Sequence, residues 1–305
     1  MGDLTTEELV AILLMQGFAG LSLFSVLLLM ALGLAIIFGQ MGVINMAHGE
    51  FMAIGAYTTY VLSNLAERFG WLELYFPLAL VAAFVTAAAV GWLLELSLIR
   101  FLYRRPLDTL LATWGVSLIL QQAFRQIFGA REVSPGLPDW LMGSVQPTPM
   151  IDLPISGLFV FGLALLVTAL TAWLMFRSRW GLKMRATTQD RAIAGAVGID
   201  TQRVDRRTFA LGCGLAGIAG AAFTTIASTG PTSGSLYIVD TFLVVVFGGA
   251  ASIVGTLVSA FSIGQAQSVL EFFITGSMAK VLTLVFVVGV LMLRPQGLFA
   301  SKIRR

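Results

Sequence analysis

Residues 20–57 read GLSLFSVLLLMALGLAIIFGQMGVINMAHGEFMAIGAY, and this stretch decides the fold. Its first twenty residues contain no charged side chain, and a helix of about 20 apolar residues crosses a bilayer core. The next run, Gly39–Gly49, interrupts the apolar pattern with glycines and polar side chains. A second apolar stretch, Gly49–Leu65, follows directly. The pattern therefore predicts two membrane helices separated by a polar, glycine-containing break.

The composition of the whole chain excludes a soluble globular protein. Of its 305 residues, 57% are hydrophobic and only 11% are charged, whereas a soluble domain carries about 25% charged residues. The nine predicted spans are Gly20–Gly39, Gly49–Leu65, Tyr75–Ile99, Leu107–Phe128, Pro154–Phe176, Arg207–Ala227, Val239–Gly249, Ser252–Phe272 and Val281–Leu293. We expect an all-α, polytopic membrane protein. Residues 1–305 would form one domain, a helical bundle of about 8–10 transmembrane helices with one or two broken or re-entrant segments.

One predicted span, Val239–Gly249, is too short to cross a bilayer alone and ends in two glycines. Short, glycine-interrupted segments point to transport sites, and ionisable residues within a membrane are functional by default. We therefore assign a solute pathway, as a hypothesis, to residues of this segment and of the first break: Asn45, His48, Glu50, Asp240, Gly248 and Gly249. Asp240 is also expected to cap its helix. An equally open alternative is that Asn45 and His48 satisfy unpaired backbone groups at a helix break.

Basic residues form three clusters that flank predicted spans. The clusters are Arg100, Arg104 and Arg105; Arg177, Arg179, Lys183, Arg185, Arg191, Arg203, Arg206 and Arg207; and Arg294, Lys302, Arg304 and Arg305. They follow the positive-inside rule, and no nucleic-acid-binding motif accompanies them. We therefore expect the clusters to face the cytoplasm. We expect the partner of this chain to be a lipid bilayer and not a nucleic acid. The N-terminus and a loop of about residues 129–153 are then external, and the C-terminus is cytoplasmic.

The segment Trp180–Asp200, WGLKMRATTQDRAIAGAVGID, lies in a predicted cytoplasmic loop of residues 177–207. Thr187 and Asp190 resemble a capping box, and Gly198 stands where a helix C-cap would be, which predicts a helix of about three turns. At helical spacing, one face would carry Asp190, Ile193, Ala194 and Val197. Such a small-residue face suits docking in a groove of another protein. A helix lying on the membrane surface is the alternative.

The sequence holds no recognisable catalytic or ATP-binding motif. It lacks a Gly-x-x-x-x-Gly-Lys-Ser/Thr loop, and one histidine with one cysteine provides too few ligands for a zinc site. Glu95 is expected to pair with Arg100, about one helical turn away. The stripe Gly212-x-x-x-Ala216-x-x-x-Gly220 is expected to pack helices closely. We therefore predict a transport subunit rather than an enzyme, with any ATP hydrolysed by another chain.

Three stretches carry a resemblance to a known family. MGVINMAHGEFMAIGAY (residues 41–57), residues 181–200 and FLVVVFGGAASIVGTLVSA (residues 242–260) resemble permeases of branched-chain amino-acid type ABC importers. The agreement spans nearly the whole chain, with the motifs in order. In addition, LATWGVSLILQQAFRQIFGARE (residues 111–132) resembles the permease of the urea importer, a subgroup of the same family.

The resemblance implies a subunit of a bacterial inner-membrane importer. It would work by alternating access with a homologous second permease, a periplasmic binding protein and two cytoplasmic ATPases, which bind the ATP and magnesium, so this chain needs no cofactor. The coupling helix that sits in the ATPase groove would lie within residues 185–198. The coupling residues are Arg185, Ala186, Asp190, Ala194 and Gly198. The expected solute is urea or a related small polar molecule. The alternatives are a branched-chain or other amino acid, an ATP-independent urea channel and an ion-coupled carrier.

Overall fold

A computed structural model describes residues 6–103, 105–148, 151–249, 252–294 and 297–299. Arg104, Lys302, Arg304 and Arg305, which were assigned to the basic clusters, lie outside the described residues.

Helices account for nearly all the regular structure. They are α1 (Thr6–Met41), α2 (His48–Phe69), α3 (Tyr75–Leu94), α4 (Arg100–Leu102), α5 (Pro106–Phe128), α6 (Ile155–Arg177), α7 (Arg179–Gln189), α8 (Arg191–Ala196), α9 (Thr201–Phe223), α10 (Ser233–Gly248), α11 (Ile253–Phe273) and α12 (Gly276–Leu293). A π-helical turn, Glu95–Ile99, joins α3 to α4. Two short antiparallel strands, β1 (Ser144–Thr148) and β2 (Ile151–Pro154), form one hairpin.

The predicted all-α polytopic fold is confirmed. Within the described ranges, five stretches are long and apolar enough to cross a membrane: Ala11–Met41, Tyr75–Leu102, Ile155–Arg177, Ile253–Phe273 and Gly276–Leu293. Each of the nine predicted spans coincides with a helix of at least 16 residues. The largest difference is in α1, which begins fourteen residues before the predicted Gly20. Helix α10 begins six residues before the predicted Val239. With 16 residues, α10 is about 24 Å long, still shorter than a bilayer core.

The helices run between two ends of the bundle, which we call the basic face and the loop face. The basic face carries Arg177 at the end of α6 and the α7–α8 segment that follows. The loop face carries the β1–β2 hairpin. It also carries residues 129–143, where the hydroxyl of Tyr75 donates to the carbonyl oxygen of Gly136 (2.7 Å). Trp140, exposed by 41%, donates from Nε1 to the carbonyl oxygen of Glu73 (2.9 Å).

The centre of the bundle is α1. Every residue from Leu27 to Leu32 has no exposed surface, so this helix is buried on all sides, as expected for a helix that is apolar all round. Helix α9 lies against α1 and α2 through the predicted small-residue stripe. A Cβ on Gly33 would lie 2.3 Å from the carbonyl oxygen of Gly212, and a Cβ on Gly220 would lie 1.9 Å from that of Met52. The stripe therefore packs backbone against backbone, and this prediction is confirmed.

Candidate functional site

The chain between α1 and α2 forms a buried turn, which we call the break (Gly42–Ala47). Gly42 begins it with a φ of 63°, a left-handed conformation that glycine adopts without steric penalty. Asn45 is fully buried, and its Oδ1 accepts a hydrogen bond from the backbone N–H of Ala47 (3.1 Å). The break therefore follows an Asx-turn, and Asn45 satisfies a backbone donor that the helix interruption leaves unpaired.

His48, the first residue of α2, lies in the interior of the bundle. Its side chain has no exposed surface, and Nε2 lies 3.1 Å from the carbonyl oxygen of Met30. Because a carbonyl oxygen only accepts hydrogen bonds, Nε2 is the protonated ring nitrogen. Met30 lies eleven residues before the end of α1, which is about 16 Å along the helix axis. The break thus carries the chain back from the basic face, and α2 begins inside the bundle, consistent with the predicted interrupted segment.

Glu50, in the first turn of α2, is the acidic residue of this region. It is 1% exposed, and its Oε1 accepts hydrogen bonds from Ser117 Oγ (3.0 Å) and Gln121 Nε2 (2.8 Å) of α5. Among the described residues, Oε2 has no hydrogen-bond partner. Thr113, one turn before Ser117, accepts from the backbone N–H of Met46 (3.1 Å). A polar contact zone therefore joins the break and α2 to α5.

Aromatic side chains continue this zone toward the loop face. Tyr57, two turns beyond Glu50, stacks on Phe128 with ring centroids 4.2 Å apart and planes inclined by 12°. Its ring also lies 5.0 Å from that of Phe124. The partners on α5 were not assigned from sequence. The signal that could have found them is the spacing of Thr109, Thr113, Ser117 and Gln121, which places four polar side chains on one helix face.

Helix α10 also begins inside the bundle, beside the start of α2. A Cβ on Gly49 would lie 2.1 Å from the carbonyl oxygen of Gly234, so the first turns of the two helices touch through their backbones. The other end of α10 is equally close-packed, because a Cβ on Gly248 would lie 2.4 Å from the carbonyl oxygen of Gly255. Gly249, with a φ of 95°, then ends the helix. Two helix starts thus meet in the interior.

The expectation that Asp240 caps a helix is wrong. Asp240 lies in the second turn of α10, because that helix starts at Ser233 rather than near Val239. Its carboxylate forms an ion pair with Lys280 of α12 (3.1 Å). Lys280 also lies 5.2 Å from the centre of the Tyr237 ring. Asp240 therefore joins α10 to α12.

The α7–α8 segment at the basic face differs from its predicted form. Ser178 caps α7 and Asp190 caps α8, and Oδ1 of Asp190 accepts from the backbone N–H groups of Ala192 and Ile193 (both 2.9 Å). The predicted Thr187–Asp190 capping box is wrong. Thr187 lies inside α7 and donates to the carbonyl oxygen of Lys183 (2.9 Å), since α7 runs on to Gln189. Two short helices therefore replace one helix of three turns.

Gly198 ends α8 in the way expected of a C-cap glycine. Its φ is 85°, and the N–H of Ile199 donates to the carbonyl oxygen of Ala194 (3.0 Å), as in a Schellman motif. The predicted exposed face is only partly correct. Ala194 is 2% exposed, whereas Ile193 and Val197 are exposed by 63% and 70%. The apolar surface that α8 presents to solvent therefore consists of Ile193 and Val197, and Ala194 anchors the helix to the bundle.

Arg185 and Ala186 lie in α7 and face the bundle in part. Arg185 donates to the carbonyl oxygen of Met175 near the end of α6, and its guanidinium lies 5.5 Å from the centre of the Phe176 ring. The carbonyl oxygen of Ala186 accepts from the N–H of Asp190 (3.2 Å). The two residues therefore hold α7 against α6 and join it to α8.

An ion pair connects α8 to the interior. Arg191, the first residue of α8, pairs with Asp205 of α9, whose side chain has no exposed surface. Asp205 also accepts from Gln40 Nε2 (3.2 Å), and Gln40 Oε1 accepts from Thr208 (3.0 Å). Gln40 is the penultimate residue of α1. The network therefore links α8 directly to the helix end that precedes the break.

A second buried pair lies beside this network, and it corrects the predicted Glu95–Arg100 pair. Glu95 pairs with Arg206 of α9 (2.9 Å) and accepts from the hydroxyl of Tyr103 (2.6 Å). The guanidinium of Arg100 instead lies 4.4 Å from the centre of the Phe101 ring. Burial raises the pKa of Tyr103, and the hydrogen bond to Glu95 raises it further, so the phenol remains a donor. The π-helical turn at Glu95 directs the carboxylate toward α9.

Comparison with known proteins places this geometry in a family. A protein-family profile described as "Branched-chain amino acid transport system / permease component" matches residues 17–293. Two curated relatives are the high-affinity branched-chain amino acid transport system permease proteins LivH of Escherichia coli (strain K12) and BraD of Pseudomonas aeruginosa. LivH is 29% identical over 93% of this chain and 94% of its own length. BraD is 27% identical over 92% of this chain and 93% of its own.

The similarity extends to an archaeal protein and not to any known structure. A probable branched-chain amino acid transport permease protein LivH of Methanocaldococcus jannaschii is 25% identical over 90% of this chain and 88% of its own length. No solved structure matches the chain. Since the profile covers all the described membrane helices except the first turns of α1, the chain belongs to the family of branched-chain amino acid transport system permease components.

Proposed function

We propose that this chain is a permease subunit that carries a branched-chain amino acid inward in an ATP-driven importer of the bacterial inner membrane. The observation that carries the proposal is the family match over residues 17–293, together with relatives named for branched-chain amino acids over nearly their whole lengths. The relatives reported above are named for branched-chain amino acids and not for urea. The amino-acid alternative is therefore better supported than urea.

The pathway wall is proposed to lie at the break and the adjoining helix starts. Asn45, His48 and Glu50 are buried there, where α2 and α10 begin side by side. Helix starts inside a membrane protein present the positive end of the helix dipole to a buried site. Midway along α10, Asp240 contributes a buried carboxylate. At the end of α10, Gly248 allows the close approach of α11, and Gly249 ends the helix. An interrupted backbone of this kind is tolerated at membrane depth where it lines a passage or is buried in protein.

The coupling element is proposed to be α8, which would dock in a groove of an ATPase subunit. Ile193 and Val197 provide the exposed apolar contact, and apolar side chains on one face of a short helix suit such a groove. Asp190 and Gly198 fix the two ends of the helix. Arg185 and Ala186, in α7, would hold the segment against the bundle.

Movement of α8 is proposed to reach the break through the Arg191–Asp205–Gln40 network. Arg191 moves with α8, and the buried carboxylate of Asp205 ties it to Gln40 at the end of α1. Breaking a buried ion pair by moving one partner is unfavourable, so the contact favours concerted movement of the two elements. Closure of the ATPases could in this way switch the pathway between its two openings.

The proposed assembly contains this chain, a homologous second permease, two ATPases that bind ATP and magnesium, and a periplasmic substrate-binding protein. The basic face would lie in the cytoplasm, because positively charged segments are retained on that side. The N-terminus would then be external and the C-terminus cytoplasmic. The loop face would meet the binding protein.

The substrate is tested by uptake into proteoliposomes that contain the complete importer, ATP inside and the binding protein outside. We expect radiolabelled leucine to accumulate and unlabelled isoleucine or valine to compete with it. Urea at the same concentration should neither accumulate nor compete. Accumulation of urea without leucine would overturn the proposed substrate in favour of the urea expectation.

A further inference from the structure

Two neighbouring cavities open at the loop face. The first, of about 200 Å³, is polar and is lined by Gln16, Gln267, Ser268, Glu271 and Lys280, with Ala19, Leu23 and Tyr237. The second, of about 390 Å³, is apolar, and its lining includes Phe18, Val26, Phe223 and Ile226. Ala19, Leu23 and Tyr237 line both cavities. A polar chamber and an apolar chamber therefore share one wall.

The polar chamber carries groups of both charges. Glu271 provides a carboxylate, and Lys280 provides an ammonium group whose charge Asp240 partly balances (3.1 Å). Gln267 is 2% exposed, and its Nε2 donates to Glu271 (3.4 Å). Among the described residues its Oε1 has no hydrogen-bond partner. Because an unpaired buried acceptor is unfavourable, a hydrogen bond from a donor on a bound molecule would stabilise this oxygen.

The chemistry of the two chambers matches one class of solute. An α-amino acid with an apolar side chain has an ammonium group for Glu271 and Gln267 Oε1, and a carboxylate for Lys280. Its hydrocarbon part would enter the apolar chamber past Leu23 and Tyr237. Small-molecule sites in proteins are concave, mostly apolar and fitted with a few convergent polar groups. Urea has neither a charged group nor a hydrocarbon part, so it would form no ion pair in the polar chamber and no apolar contact in the other.

We propose that these chambers form a receiving site at the loop face, where the permease first holds the zwitterion of a branched-chain amino acid. The inference rests on the proposed function, and it adds a site apart from the break. The ammonium of the solute is bound by Glu271 and Gln267, and its carboxylate by Lys280. From this site the solute would pass between α1 and α10 toward the interior helix starts.

The test is photolabelling of the complete nucleotide-free importer in nanodiscs with a diazirine analogue of leucine, with adducts mapped by mass spectrometry. We expect adducts on Leu23, Phe223 or Tyr237, reduced at least tenfold by excess leucine. Urea should not reduce them, and neither should 4-methylpentanoate, which lacks the ammonium group. Labelling that leucine does not reduce would show binding of an apolar probe or lipid only and would overturn the site.

Two variants and one control make the assignment specific. Glu271→Gln removes the carboxylate that binds the ammonium group of the solute. Ala19→Trp places a large side chain in the space beside the shared wall. Each variant should therefore reduce labelling at least fivefold. Glu67→Gln, an exposed residue of α2, should leave it unchanged. If either variant labels like the wild type, the assignment is wrong. If Glu271→Gln does not assemble, Ala19→Trp alone decides.

Leucine uptake by the same preparation separates the two proposals. Active uptake without adducts in the chambers would leave the proposed function standing and would overturn the site. Absence of leucine uptake and of leucine-sensitive labelling would overturn both.

Discussion

Arg191 at the start of α8 forms an ion pair with Asp205 of α9, whose carboxylate is completely buried. The arginine is 43% exposed in its side chain, so the pair joins a surface helix to the protein interior. Through Gln40 the same carboxylate reaches the end of α1. The contact thus connects the element proposed to meet the ATPase with the helix that leads into the break.

Arg191→Ala should destabilise the protein and uncouple transport. It leaves Asp205 as an uncompensated buried charge, which costs about 3 kcal/mol of stability. We expect a lower thermal midpoint of the purified complex and at least a tenfold fall in leucine transported per ATP hydrolysed. The double variant R191A/D205N should recover most of the stability and little of the transport.

Arg203→Ala is the matched control for this prediction. Arg203 pairs with Asp200 at 2.8 Å, and both side chains are largely exposed, so the expected loss is below about 1 kcal/mol. If R191A behaved like R203A in both stability and coupling, the role assigned to the buried pair would be wrong.

Cysteine cross-linking should distinguish the exposed and buried residues of α8. The only native cysteine, Cys213, is buried, so it should contribute little background. We expect Ile193→Cys and Val197→Cys to form disulfides with cysteines placed in the ATPase groove, and Ala194→Cys to form none. Cross-links from position 194 alone would contradict the orientation of α8. The absence of cross-links from all three positions in an active complex would overturn the docking proposal.

Substitutions of His48 should decide between its two interpretations. A glutamine can place an amide N–H near the position of Nε2 and keep the bond to Met30, whereas alanine loses that bond and leaves a cavity. We expect His48→Ala to lose about 2–3 kcal/mol and His48→Gln to retain most stability and uptake. Thermal unfolding and leucine uptake measure the two effects. A stable H48Q complex that transports nothing would instead assign His48 to the pathway.

The close contact between α1 and α9 predicts an unequal response to the same glycine-to-alanine change. A Cβ on Gly33 would clash with the carbonyl oxygen of Gly212, whereas a Cβ on Gly162 of α6 meets nothing within 4 Å. We expect Gly33→Ala to destabilise by about 1–3 kcal/mol and Gly162→Ala to be neutral or to stabilise by up to about 1 kcal/mol. Equal thermal midpoints for the two variants would contradict the packing.

Local sequence signals predicted the helices and several of their ends well. Apolar runs located the membrane helices, because burial in lipid requires long uncharged stretches. The glycines of α9 indicated close packing, and Gly198 indicated a helix end. Both predictions follow from the absence of a Cβ, which allows close backbone approach and a positive φ. These features depend on residues near one another in the chain.

Contacts between distant segments could not be predicted in the same way. Glu95 was paired with the nearby Arg100, but its partner Arg206 is 111 residues away, and only the tertiary fold brings them together. Asp240 was taken for a cap because the start of α10 was placed six residues late. The burial of Ala194 likewise depends on how α8 packs in the fold and not on the periodicity of α8.

The dependence of transport on the ATPases tests the account most directly. Leucine accumulation should be measured in proteoliposomes with the two permeases and the binding protein, with and without the ATPase subunits and ATP. We expect accumulation against a gradient only when the ATPases hydrolyse ATP. Equal accumulation in the proteoliposomes that lack the ATPase subunits would contradict the account.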